Sequence, residues 1–144
     1  MLQRSWCGRA RRRTMDGIDL FRVLAVGIGG AVGSVLRYVL AGLVQRSVVS
    51  FPLGTICVNV LGCLAIGFLG ERMTGAAVDP VYRVGVLIGV LGGFTTFSTF
   101  AFESLKLAEE REYGLAALNI AASVASCLAA AWVGQRLAKW WVMS

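Results

Sequence analysis

At 144 residues, with 57% hydrophobic and 15% charged residues, the chain is too apolar for an ordinary soluble domain. It is long enough for four membrane spans of about 20 residues each. Histidine is absent, which excludes histidine metal sites and histidine acid–base catalysis, and nothing else points to an enzyme.

The formal charge of +6 is concentrated at the start, where Arg4, Arg9, Arg11, Arg12 and Arg13 occur without an acid. Residues 1–14 read in one of two ways: a basic arm touching anionic lipid, or a leader preceding a true start at Met15. From Met15 to residue 144 the chain reads as a single four-helix membrane domain. The apolar run that follows the leader is of span length and rich in glycine, unlike a signal peptide.

The first span is expected over about 23–44, with Gly29, Gly30 and Gly33 on neighbouring turns and Arg37 toward its far end. Arg37 either snorkels to the interface or holds an anion or a subunit contact. The Gly27–Gly33 stretch has the look of a dinucleotide loop, but its place inside a span rejects that reading. The second span, about 53–69, carries Thr55 and, near its middle, Asn59. An amide at that depth needs a partner, either another helix or a passing anion. Glu71 and Arg72 close this span.

The third span, about 84–102, holds the most informative stretch, Gly92-Gly93-Phe94-Thr95-Thr96-Phe97-Ser98-Thr99-Phe100. Paired glycines loosen a helix, and four hydroxyls facing lipid would be unfavourable. Non-helical backbone at membrane depth survives only where protein buries it or a cavity is lined by it. Gly85, Gly89 and Gly93 form a small face suited to close helix approach. Phe94, Phe97 and Phe100 recur every third residue; core or lipid-facing packing is their ordinary role, but ring edges are positive and favour an anion. Thr96, Ser98 and Thr99, with Asn59 nearby, offer hydroxyls and an amide to replace an anion's hydration shell. The first acid on these spans, Glu103, is expected near a span end, which argues against proton-coupled or cation transport.

The fourth span, about 115–133, places Asn119, Ser123 and Ser126 on one face, a polar track in a chain poor in polar residues. Cys7, Cys57, Cys63 and Cys127 contain no C-x-x-C pair, and the last three read as buried thiols. From Met15 on, the side holding the N-terminus carries Arg22, Arg72, Arg83, Arg136 and Lys139, and the other carries Arg46, Lys106 and Arg111. So weak a bias permits insertion both ways, hence a dual-topology antiparallel pair; with the leader counted, the N-terminus is expected in the cytoplasm.

The segments Gly29–Tyr38, Gly54–Gly62 and Gly89–Phe100 arrive in an order and spacing that resemble the Fluc/CrcB family of small fluoride channels, over about Phe21 to Val133. The resemblance implies an all-α subunit of four transmembrane helices, the third broken at mid-membrane, forming an antiparallel dual-topology homodimer in the bacterial plasma membrane. It implies passive, fluoride-selective export that relieves fluoride toxicity, with fluoride, lipid and a second copy as partners and no nucleic acid. By the same resemblance Phe97 and Phe100 form the aromatic box and Asn59 is the pathway amide. Arg37 lies near a vestibule, Glu103 just past the box, and Asn119 and Ser123 on the polar track. A structural sodium would be held by the main-chain carbonyls of Gly92 and Thr95 at the break. Cys127 stands where a hydroxyl is expected. The alternatives are a dual-topology small multidrug exporter, whose glutamate the first span lacks, and a non-transporting accessory subunit.

Overall fold

The computed structural model describes residues 19–46, 51–75 and 78–143, all in helices or the turns and bends between them. The leader over 1–14 lies outside the described residues. Helix α1 runs Leu20–Gln45, opened by Asp19, whose carboxylate accepts from the Phe21 N–H at 3.1 Å. Helix α2 runs Leu53–Gly75. The third span starts at α3, Pro80–Val84, where Asp79 caps Val81 and proline takes the first position that needs no donor. A π-helical segment, Gly85–Val90, leads to α4, Leu91–Phe94; Thr95 and Thr96 are extended, and α5 resumes over Phe97–Glu109. The joined span is bent. Arg111, at φ 64°, closes α5: Arg111 N–H donates to Ala108 and Glu112 N–H to Leu107, a C-terminal capping turn. Helix α6 then runs Tyr113–Met143.

Four segments are long and apolar enough to cross a membrane: Leu20–Gln45, Leu53–Thr74, Pro80–Glu109 and Tyr113–Trp141. Each exceeds the span expected from hydropathy. Hydropathy marks the hydrocarbon-deep part, whereas the helical hydrogen-bond ladder continues through interfacial residues such as Glu71, Arg72 and Gln135.

Burial is inverted relative to a soluble protein. Ile28, Leu128, Trp140 and many other large apolar side chains are exposed, while Asn119, at 1% exposure, Ser123, Ser104, Thr55 and Thr96 are buried. The apolar surface suits lipid, and the polar groups find partners inside.

Glycines set the spacing. A Cβ on Gly93 would lie 2.5 Å from the Gly30 carbonyl oxygen, and one on Gly29 or Gly33 would strike the main chain at Gly85 or Val90. The glycine row of the third span therefore meets that of α1 backbone to backbone. On the other side Gly67 lies against the Ala131 main chain and Gly134 against Leu64 and Phe68. Further along both helices Lys139 pairs with Glu71 at 3.7 Å, so from Gly67 and Ala131 onward the two advance together and α2 and α6 run parallel along a tight seam.

Candidate functional site

The bend of the third span is held by one side chain. Asn59, on α2, donates from Nδ2 to the Thr96 carbonyl at 3.0 Å and accepts the Thr96 N–H on Oδ1 at 2.8 Å. It satisfies the groups that extended backbone takes out of the helical ladder. The bend falls later than the glycine pair: Gly92 and Gly93 stay helical, and the extended residues are Thr95 and Thr96. At Gly93 the missing side chain serves the approach of Gly30, while the Asn59 clamp sets the place where helix ends. Thr95 completes the turn before it, both its N–H and its hydroxyl donating to the Leu91 carbonyl at 3.0 Å.

Thr96 then caps α5. Its Oγ1 accepts from the Thr99 N–H at 3.2 Å and lies 2.9 Å from the Thr99 hydroxyl and 3.3 Å from that of Ser98. The three hydroxyls form one cluster at a helix N-terminus, where the backbone dipole favours negative charge. Phe97 and Phe100 follow, their rings 5.3 Å apart and tilted by 52°. Phe97 is 78% exposed and Phe100 only 9%. Phe94 belongs to α4, across the extended residues, so the three-residue spacing does not make one helical face.

A cavity of about 340 Å³ is lined by Asn59, Thr95, Thr96, Phe97, Phe100 and Ser123, and also by Gly92, Cys63 and Cys127. A second, of about 410 Å³, is lined by Arg37, Tyr38, Gln45, Thr55, Thr96, Thr99 and Glu103. Asn59 borders the first, Arg37 and Glu103 the second, and Thr96 both. Glu103 sits in the middle of α5, its Oε1 accepting the Thr55 hydroxyl at 2.8 Å, while its buried Oε2 has no partner.

On α6, Asn119 donates to the Ser104 hydroxyl at 2.9 Å, and Ser104 donates to the Phe100 carbonyl at 2.8 Å. Ser123 donates to Asn119 Oδ1 at 3.4 Å. The polar face of α6 is thus tied to the phenylalanine segment through Ser104. Ser126 instead donates to the carbonyls of Ala122 and Ser123 on its own helix. Sequence reasoning missed the partnership of Thr55 with Glu103 and the relay through Ser104. Isolated hydroxyls on apolar segments were the only signal for either.

A bundle of four membrane-length helices, apolar outside and with its buried polar side chains hydrogen-bonded beside two open cavities, defines a polytopic membrane protein. The chain belongs to the family described as CrcB-like protein, Camphor Resistance (CrcB), whose model matches residues 24–135. It is 47% identical over 114 residues to the fluoride-specific ion channel FluC of Geobacter sulfurreducens, covering 78% of this chain and 92% of that protein. It is 49% identical over 115 residues to the FluC of Nitratidesulfovibrio vulgaris, covering 78% and 93%. With the FluC of Methylobacillus flagellatus it shares 42% over 123 residues, covering 83% and 96%. The chain is a multi-pass bacterial membrane protein.

Proposed function

We propose that the protein is a passive, fluoride-selective channel that lets fluoride leave the cytoplasm, assembled as an antiparallel homodimer. The observation that carries this reading is the doubly bonded Asn59–Thr96 pair beside the Phe97–Phe100 pair, on a cavity that also reaches the polar face of α6. The naming of close relatives as fluoride channels supports it.

In this reading a fluoride ion entering near Arg37 exchanges water for the Thr96, Ser98 and Thr99 hydroxyls and the second Nδ2–H of Asn59. It then passes the positive ring edges of Phe97 and Phe100 and the hydroxyl of Ser123. These contacts are individually weak, but they act in a poorly screened interior. Glu103 already accepts the Thr55 hydroxyl and, as a carboxylate, repels rather than binds an anion. The span of Pro80–Glu109 is, in this reading, a helix interrupted at mid-membrane by Thr95–Thr96.

The chain's carbonyls fit a structural sodium. The helical donor due to Gly92, the Thr96 N–H, is taken by Asn59, so the Gly92 carbonyl loses its partner. Gly92 and Thr95 both border the cavity of about 340 Å³, and a second copy would bring two more such oxygens to a shared axis. A sodium ion held there would supply a hard charge for hard oxygen ligands and a positive potential along nearby anion paths.

The test is efflux from liposomes containing the purified protein, read with a fluoride electrode and a chloride electrode. Rapid fluoride release without chloride release is expected. Fluoride release no faster than from empty liposomes would overturn the reading in favour of an accessory subunit.

A further inference from the structure

We propose that Cys63 and Cys127 form a dithiol site for a soft d10 cation inside the cavity that the fluoride reading assigns to the anion. The argument starts from the α2–α6 seam. The helices run parallel and keep step, Gly67 against Ala131 and, one turn earlier on both, Cys63 with Cys127. Small residues at the following turn pull the backbones together. The two thiols therefore approach one another across the seam. Both sulfur-bearing residues border the cavity of about 340 Å³ beside Asn59, Phe97 and Ser123. Cys57, on the same helix as Cys63, does not border it.

Two convergent thiols with no carboxylate or imidazole beside them select soft cations such as Hg(II) or Cu(I) over hard ones. Binding is an exchange without electron transfer. Each thiol loses its proton to water as its sulfur–metal bond forms, so one cation displaces two protons. A metal bridging α2 and α6 there would occupy part of the cavity that Asn59 and the phenylalanine rings also line. The binding step stands on this chain's geometry alone; the consequence for flux rests on the fluoride reading.

The experiment uses the full chain with Cys7→Ser and Cys57→Ser, reduced, purified and treated with one equivalent of mercuric ion. Intact mass should show one mercury per chain with two protons lost, and neither thiol should then react with maleimide. Adding Cys63→Ser or Cys127→Ser to that background should weaken mercury retention on the order of a hundredfold, because one thiolate replaces a chelating pair. Two thiols that remain reactive, or mercury that links two chains, would overturn the site. In liposomes mercury should stop fluoride efflux and dithiothreitol should restore it. Undiminished efflux with mercury bound would overturn its place in the path. Absence of efflux before mercury would count against the fluoride reading alone, since the mass result is independent of it.

Discussion

Asn59 and Thr96 are bonded twice, the amide of one side chain matching the N–H and C=O of one extended residue at 2.8 and 3.0 Å. The pair resembles one rung of a sheet set inside a helical bundle. It lets the third span change direction without leaving Thr96 unsatisfied, and it puts an amide against the Thr96–Ser98–Thr99 hydroxyls.

Removing that amide should damage both fold and flux. Asn59→Ala leaves the Thr96 N–H and C=O unpaired, at about 1–3 kcal/mol for each group. Asn59→Asp keeps the acceptor, loses the donor and adds negative charge beside the anion path. Both should lower thermal stability in detergent, and Asn59→Asp should abolish fluoride efflux even where a folded protein is recovered. Full efflux through the aspartate variant would contradict the role given to the amide.

The phenylalanines separate by exposure. Phe100→Ile removes a ring that is only 9% exposed, so stability and flux should both fall. Phe97→Ile alters a ring that is 78% exposed and should affect flux with little loss of stability. Efflux in liposomes beside thermal unfolding reads the difference, and two variants with unaltered efflux would remove the rings from the path.

Glycine positions give a paired test of packing. At Gly33 a Cβ would lie 2.8 Å from the Phe94 nitrogen and 3.0 Å from the Val90 carbonyl carbon, both main-chain atoms that cannot swing aside. Gly33→Ala should destabilise by about 1–3 kcal/mol or more. At Gly27 nothing lies within 4 Å. Gly27→Ala should be neutral or stabilise by up to about 1 kcal/mol through helix propensity. Melting temperatures in one detergent decide between them.

Sodium removal tests the carbonyl site. Prolonged exchange of sodium for N-methylglucamine should impair fluoride flux, and sodium should be detected in dialysed protein. Substitutions at the Thr95 side chain should matter less than changes that shift its backbone, because the proposed ligand is the main-chain oxygen. Flux indifferent to verified sodium removal would refute the site.

Orientation is testable at one loop. A single cysteine placed at Glu110, in a background without native cysteines, should be labelled from both faces of the membrane if the chain inserts both ways. Labelling from one face alone would exclude the antiparallel arrangement.

Sequence determined the membrane character and the four spans, because apolar composition at hydrocarbon length permits little else. It also singled out two segments that the structure joins by hydrogen bonds: Asn59 is the lone amide of its span, and the Thr/Ser/Phe stretch is conspicuous against its surroundings. Which main chain the amide clasps depended on how α2 meets the third span, and no local pattern records that meeting. The bend lies at Thr95–Thr96 rather than at Gly92–Gly93 because helix ends where a competing partner is supplied, and Asn59 supplies it. Glu103 reads as a span-end acid, and its partner Thr55 stands in the first turn of α2, a pairing that hydropathy does not record. The nearness of Cys63 and Cys127 is likewise a product of the parallel seam, where glycines one turn away decide how closely two helices pack.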